Sequence, residues 1–359
     1  MTRIFQNFDI YDKYLGILTS RTDRSYKEII DELVDDRFVA LHMLLPTLQR
    51  DESAMCAIGH DAVSQRSWAR GKGIGRRMSQ ADILRAQIEE HRTEIFYNHD
   101  PLRFGSAFVK SLPGCVRRTV AWRAAPSPGA DFKAYGLVVC NFHSILEDYR
   151  ARGWRAAWFA PAFDPEMDRY NRTDDRPTDI LFAGSYSQYH KRRGLLLELL
   201  ASLSGRWNVV LHLHLSRLTT LAGTPAGWLG PLHKYRLPRA IQQIRRPPVF
   251  GRDLYRALGS AKIVINGAID MAGQDRGNMR CWEALGCGAL MLSDSGVYPD
   301  GMRPGEDLAT YSSLEEVATT ADRLLRDGTT RRAIAESGNA MIRTRYSKHQ
   351  QWNDFLDLF

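Results

Sequence analysis

Short apolar runs alternate with amphipathic segments along most of this 359-residue chain, and this alternation restricts the folds that it can adopt. Strand-like runs separated by helix-like segments predict parallel sheets whose crossover connections are helices. A polar, turn-rich stretch at 168–177 separates two such sets. We therefore predict an α/β protein made of two Rossmann-like domains that face each other across a cleft. The predicted ranges are 1–175 for the N-terminal domain, 176–340 for the C-terminal domain and 341–359 for a last helix that packs back on the N-terminal domain.

The strands of the first set are predicted at 14–20, 38–45, 93–98, 134–141 and 155–159, and those of the second at 178–185, 207–215, 262–266, 289–293 and 307–311. A Gly/Pro-rich loop is predicted at 216–231, and two helices end the chain. Ligands of doubly wound sheets bind beyond the carboxyl ends of the strands. The loops after 184, 266 and 293 are therefore the predicted ligand-binding loops of the second set.

The amino-acid composition indicates which cellular compartment and which binding partners to expect. The chain has a net charge of +8, which suits an anionic ligand such as a nucleotide, an anionic membrane surface or nucleic acid. The basic residues are scattered and form no RNA-binding or zinc-finger motif, so we expect no nucleic-acid partner. Five cysteines without a Cys-x-x-Cys pair favour free thiols in a reducing compartment. Without signal-peptide or membrane-spanning runs, we expect a cytoplasmic protein, with peripheral contact to the inner face of the cell membrane left open.

The stretch "GQDRGNMRCWEALGCGAL", residues 273–290, combines a glycine-containing loop with a helix start. The amides at a helix N-terminus are free and carry a partial positive charge, and Gly277 lets a phosphate approach the backbone. Glu283, on the helix, is suited to accept hydrogen bonds from a ribose diol, and Asp275 from a sugar hydroxyl. In the alternative interpretation, Glu283 is a solvated helix residue and Asp275 caps the helix.

This stretch, with "PVFGRDLYRALGSAKIVIN" before it and "PGEDLATYSSLEEV" after it, resembles the C-terminal domain of the group 1 glycosyltransferases. The similarity covers about 175–345 and is closest to the spore-maturation-type branch, whose members are retaining enzymes with the GT-B fold. The Arg280-x-x-Glu283 arrangement is typical of that branch. The resemblance implies that Asp275, one methylene shorter than the usual Glu, and neighbouring amides hold the donor sugar, while Glu283 binds the ribose of the nucleotide.

A second element, "ILFAGSYSQYHKRRG" at 180–194, places a Gly-Ser strand end before a basic helix start. The family commonly has an Arg after this strand and a Lys a few residues on; Ser185 occupies the first position and Lys191 the second. Arg192, Arg193 or Arg276 would supply the missing cation, which would neutralise the charge of a leaving diphosphate. A basic, solvated helix start is the alternative. The predicted donor-binding residues are Gly184, Ser185, Lys191, Arg192, Arg276, Gly277, Asn278, Met279, Arg280 and Glu283.

Three further features have weaker signals. His99 follows a predicted strand and would contact the transferred sugar, as a histidine does in related enzymes, so His99 and Asp275 are the predicted catalytic residues. The basic loop around Trp68 is either a site for an anionic acceptor or lipid headgroups, or a solvated loop. Asp294 lies either near the donor or in a surface turn.

The resemblance implies a retaining glycosyltransferase that moves a sugar from a nucleoside-diphosphate sugar to a glycan, lipid-linked or protein acceptor. It implies neither a metal nor another cofactor, because the helix start and the cationic side chains face the diphosphate. Two alternatives stay open. One is a nucleotide-sugar epimerase or phosphorylase of the same fold, and the other is a non-catalytic subunit that binds a glycan or nucleotide.

Overall fold

The computed structural model describes residues 2–20, 24–74, 77–171, 176–186, 191–228, 230–267 and 272–359, apart from the side chains of Lys191, Ala226 and Trp228. The chain folds into two compact units. Unit 1 comprises Met1–Ala162 and Lys348–Phe359, and unit 2 comprises Phe163–Ser347. No helix among the described residues combines the length and the apolarity that crossing a membrane requires.

The core of unit 1 is a six-stranded, entirely parallel sheet with the order β2-β1-β3-β4-β5-β6. Four-residue strands suffice here because both faces are covered; every residue of the first, third and fifth strands is buried. The strands are β1 (Ile4–Asn7), β2 (Ala54–Ala57), β3 (Ile95–Asn98), β4 (Arg118–Trp122), β5 (Leu137–Cys140) and β6 (Ala156–Trp158).

The helices of the first part of unit 1 are α1 (Asp12–Leu18), α2 (Tyr26–Asp36), α3 (Leu45–Leu48), α4 (Ala62–Gly71), α5 (Gln80–Glu90), α6 (Ser106–Lys110) and α7 (His143–Ala151). The local sequence fixes where two of these helices begin. Ser25 with Glu28 and Ser79 with Asp82 form capping boxes, which satisfy backbone amides at the N-termini of α2 and α5.

The first two strands predicted for unit 1 are wrong. Residues 14–20 lie mostly in α1, where Tyr14 and Leu18 are buried one turn apart while Ile17 is 58% exposed. Residues 38–45 form turns that lead into α3. The sheet uses β1 and β2 instead, whose short apolar runs were not recognised in the sequence.

Unit 2 contains a second six-stranded parallel sheet with the order β12-β11-β10-β7-β8-β9. The chain runs from β7 outward to β8 and β9, and then returns to the other side of β7 to form β10. The strands are β7 (Thr178–Tyr186), β8 (Val209–Leu215), β9 (Arg245–Arg246), β10 (Ala261–Ile265), β11 (Leu290–Asp294) and β12 (Ala309–Tyr311). Five of the six agree with the predicted strands, and the two-residue β9 was not predicted.

The helices of unit 2 are α8 (Lys191–Ser202), α9 (Arg217–Ala222), α10 (Arg239–Ile244), α11 (Gly251–Gly259), α12 (Met279–Gly286), α13 (Leu314–Arg326) and α14 (Gly328–Arg345), and the final helix α15 (Lys348–Leu356) belongs to unit 1. The predicted loop at 216–231 is largely helical, since α9 is followed by 3-10 turns at Pro225–Trp228 and Gly230–Tyr235. Three helices, rather than the two predicted, end the chain.

The division between the units falls after Ala162, whereas the sequence placed the boundary at 175. Residues 163–171 pack on unit 2: the Phe163 amide donates to the carbonyl of Tyr346 at 2.7 Å, and Met167 is fully buried against Gly286 of α12. At the other end, the ring of Phe355 lies 5.1 Å from that of Tyr97 in the core of unit 1.

Candidate functional site

Three strand ends of unit 2 lie next to one another. In the order β11-β10-β7 the strands are parallel, so their carboxyl ends meet at one edge of the sheet. The order of strand addition reverses at β7, because β8 lies on one side of β7 and β10 on the other. Open α/β sheets bind ligands at such a switch point. The loops after β7, β10 and β11 therefore form the candidate site.

A polar network holds the start of α12 against this edge. Asn278 is the N-cap residue of α12, but its amide nitrogen donates to Asn266 Oδ1 at 2.9 Å and does not cap the helix. The Asn266 amide nitrogen in turn donates to Ser293 Oγ at 3.2 Å. Asn278 consequently gives the first-turn amides of α12 no side-chain cap, which leaves a helix N-terminus suited to an anion.

Arg280 and Glu283 link the first turns of α12 to the end of β7. Arg280 Nη1 donates to Glu283 Oε2 at 2.6 Å, and Nη2 donates to the carbonyl oxygen of Ala183 at 3.1 Å. The Glu283 side chain is only 7% exposed, so it is packed at the switch point and not solvated. Its second oxygen, Oε1, has no hydrogen-bond donor within the described ranges and can accept from a ligand hydroxyl.

Arg276 forms an ion pair with the end of β11. Its Nε lies 2.6 Å from Asp294 Oδ2, and Nη1 donates to the carbonyls of Gly273 and Asp275. Burial raises the pKa of Asp294 above its usual value, and the positive charge of Arg276 partly opposes that rise. The charge of Arg276 is thus compensated by the carboxylate of Asp294. The contacts of the Arg276 side chain with Asp294, Gly273 and Asp275 hold the loop in place. The backbone of Asp275 is held by a parallel bridge to Val297.

Two arginines of α8 lie at the same edge of the sheet. Arg193 Nη1 donates to Ser185 Oγ at 3.1 Å, and Arg192 is exposed. The charges of both arginines act on the Tyr311 hydroxyl, where they oppose the rise in pKa that burial causes. That hydroxyl donates to the carbonyl of Asn266. Lys191 opens α8, and its side chain lies outside the described part of the chain.

The remaining predicted donor-binding residues are backbone positions. Gly184 lies in β7, where a Cβ would sit 3.1 Å from the Phe182 ring; Gly277 is buried, and Met279 is the first residue of α12. Sequence reasoning missed Asn266, which connects two of the three loops. The available signal was a polar residue directly after the apolar run of β10.

In unit 1, His99 follows β3 and lies in an aromatic environment. Its ring centroid is 4.3 Å from that of Tyr97, 5.0 Å from Phe8 and 5.5 Å from His42. Burial, followed by the neighbouring His42, holds the pKa of His99 well below its ordinary value. The imidazole is therefore neutral at pH 7 and can exchange hydrogen bonds without carrying charge.

A charged cluster lies at the carboxyl ends of β1, β2 and β3. Asp9, His60 and Asp100 each offer one atom within 4.8 Å of the others, a separation that a metal ion could bridge. Arg103 Nη1 already contacts both carboxylates, at 3.0 Å and 2.8 Å. Its guanidinium occupies the place of a cation, so these residues fit an ion-pair network better than a metal centre. Arg103 also lines an adjacent cavity of about 620 Å³ together with Arg123 and Asp131.

Comparison with known proteins shows which family and which folds this chain resembles. Residues 193–357 match the model of a family described as glycosyl transferase-like. The whole chain is similar in structure to HepE from Anabaena, solved with UDP, with a TM-score of 0.59 and 14% identity over 100% of this chain and 99% of HepE. A glycosyltransferase from Rickettsia africae gives a TM-score of 0.57 and 10% identity over 99% and 97% of the two chains.

The fold is GT-B. Residues 193–357, which comprise most of unit 2 and α15, resemble a glycosyltransferase-like family, in agreement with the predicted enzyme class. TarM of S. aureus gives a TM-score of 0.55 and 12% identity over 78% of this chain, which spans 58% of the length of TarM. No curated protein sequence matches the chain.

Proposed function

We propose that this protein is a retaining glycosyltransferase that uses a nucleoside-diphosphate sugar and works without a metal ion in the cytoplasm. The observation that carries the proposal is the Arg280–Glu283 pair, which ties the start of α12 to the end of β7 at the switch point of unit 2. This arrangement combines an anion-binding helix N-terminus with a buried carboxylate about one turn further along the helix.

In the proposed complex, the diphosphate rests on the first-turn amides of α12, near Gly277 and Asn278. The ribose diol donates to Oε1 of Glu283, while Arg280 keeps the carboxylate in position through Oε2. Asp275 and the adjacent amides hold the donor sugar. Lys191 and Arg192 supply positive charge to the diphosphate, since that of Arg276 is compensated by Asp294.

Unit 1 would bind the acceptor, whether a glycan, a lipid-linked glycan or a protein. The cavity beside Arg103 offers a concave surface of mixed polarity at the carboxyl edge of its sheet. His99, neutral at pH 7, would donate one hydrogen bond to the transferred sugar or accept one from it. We propose that the leaving phosphate accepts the acceptor proton, with attack and departure on the same face of the sugar.

The test is calorimetric titration with UDP, because the similar HepE was solved with UDP and with UDP-glucose. The conservative variant Glu283→Gln keeps the shape of the side chain and most of its packing. It weakens a charge-assisted hydrogen bond to the ribose, for which we expect a loss of about 10- to 100-fold in affinity. Glu336→Gln is the matched control, since Glu336 is exposed on α14 of the same unit.

Equal UDP affinity in the wild type and in Glu283→Gln would refute the assignment of the ribose site. If the wild type does not bind UDP, a thermal-shift series with GDP, dTDP and ADP identifies the base, because a bound ligand raises the melting temperature. Product analysis with the matching nucleotide sugars then separates transfer from epimerisation, phosphorolysis or binding alone. An inverted anomeric product would refute the retaining mechanism.

A further inference from the structure

The excess positive charge of this protein is confined to one segment. Between Glu198 and Asp253 there is no acidic residue, and this basic segment, residues 199–252, contains eight arginines and lysines. The rest of the chain carries 41 basic and 41 acidic residues and is therefore neutral. Charge segregation of this kind produces a local electrostatic field that a uniform distribution would not.

The basic segment contains the last two strands at one edge of the sheet of unit 2. It includes β8, α9, three 3-10 turns, α10 and β9, the last strand at this edge of the sheet. The turn at Gly230–Tyr235 packs on α9, and α10 packs on β8. α9 begins two residues after β8 ends, and β9 pairs with β8, so these elements all border β8.

Most of its charges have no acidic partner. Arg206 pairs with Asp322, and Arg252 lies 3.4 Å from Glu166. In the described ranges, no carboxylate pairs with five exposed cations, which are Arg217, Lys234, Arg239, Arg245 and Arg246. Two of them occupy the edge strand β9, where both side chains are exposed.

Apolar side chains are exposed on α9, next to Arg217. Leu218 is 43% exposed and Leu221 is 47% exposed, and both lie on the outward face of α9, while Thr219 and Ala222 of the same helix are buried. Arg217 is four residues before Leu221 and shares its face. Exposed leucines next to arginines suit the boundary between lipid headgroups and acyl chains. A nucleic acid would make no use of the leucines.

We propose that the basic segment is a docking surface for an anionic lipid bilayer. The five unpaired cations attract the headgroups, and Leu218 and Leu221 insert at the level of the headgroup–acyl boundary. The surface does not depend on the proposed transfer reaction, although an enzyme held at a bilayer would have ready access to a lipid-linked acceptor. Each cation near an anionic surface strengthens binding about fivefold, and salt weakens that attraction.

The test is sedimentation of the full chain with vesicles. We expect the wild type to bind phosphatidylcholine vesicles that contain about 30% phosphatidylglycerol, and not pure phosphatidylcholine vesicles. The triple variant Arg239→Ser, Arg245→Ser, Arg246→Ser should bind about 100-fold more weakly. The control triple Lys27→Ser, Arg117→Ser, Arg256→Ser makes the same change in net charge at exposed positions outside the segment, and should bind within about fivefold of the wild type.

Three results would overturn the proposal. The first is that the wild type does not bind the anionic vesicles, and the second is that both triple variants lose vesicle binding equally. The third is that the protein binds single-stranded RNA and not vesicles, and that the first triple variant weakens this RNA binding. The variant Leu218→Ser, Leu221→Ser should reduce binding most at high salt, where charges are screened; unchanged binding would refute the insertion of α9. The UDP-induced thermal shift should be the same in all these variants, which separates a failed surface from a failed donor site.

Discussion

Lys348 is a buried cation that holds the C-terminal helix to unit 1, and its removal should destabilise that unit. The side chain is 3% exposed, and its ammonium donates to the carbonyls of Ala40 at 2.5 Å, Leu41 at 3.1 Å and Met43 at 2.8 Å. It also donates to Gln351 Oε1 at 2.9 Å. The turns at 37–43 thus depend on a residue more than 300 positions further along the chain.

The substitution Lys348→Met keeps the length of the side chain and removes the donors. Leu41 keeps two other donors, the Ala162 amide and Gln351 Nε2, and the Ala40 carbonyl keeps the Met43 amide. The Met43 carbonyl and Gln351 Oε1 lose their donor, which costs about 1–3 kcal/mol for each orphaned group. Relief from burying an ammonium offsets part of this cost, so we expect a net loss of about 2–4 kcal/mol.

Differential scanning calorimetry measures the effect. For a unit of this size, a loss of about 2–4 kcal/mol lowers the melting temperature by about 4–16 °C. The control is His349→Met, because His349 is exposed and adjacent in sequence. A melting temperature for Lys348→Met within about 1 °C of that control would refute the argument that the ammonium supports the turns.

Two further predictions concern acid sensitivity and helix packing. Burial, with the charge of Lys348, lowers the pKa of His42 to about 3, so the folded state excludes a proton that the unfolded state binds below pH about 6.5. His42 should therefore contribute a fall of about 1.4 kcal/mol per pH unit to the free energy of unfolding from pH about 6.5 towards 3, and urea titrations should show a shallower fall in His42→Phe; equal slopes would contradict this. In α14, Gly338→Ala should cost about 1–3 kcal/mol, because the new Cβ would overlap the carbonyl oxygen of Asp307. Thermal melting should show the opposite sign for Gly16→Ala in α1, where no atom lies near and alanine is favoured by about 0.5–1 kcal/mol; a loss there would contradict it.

The second half of the chain was the more predictable one. Its strands are long or strongly apolar, and the loop before α12 combines glycines with charged residues at a helix start. Such signals are local, and the structure places five predicted strands of unit 2 where the sequence did. The pairing of Arg280 with Glu283 is also local, since residues three apart on a helix are neighbours.

The first half of the chain was less predictable because its elements are short. A four-residue strand such as β1 has too few positions to show a period, and the apolar run at 14–20 fits a strand as well as the helix α1 that it forms. Two features of the fold depend on contacts between residues that are far apart in the sequence. Unit 2 begins at Phe163, whose amide donates to the carbonyl of Tyr346, and Lys348 supports the turns at 37–43.

The sequence by itself determined the α/β class, the two-part organisation and the acidic and basic residues around α12, because each depends on composition or on neighbours within one helix turn. Only the tertiary structure decided which of those side chains meet. Asn266, Ser293 and Asn278 come together because the carboxyl ends of β10 and β11 share one edge of a parallel sheet. Strand order is set by packing across the whole domain, and no local pattern encodes it.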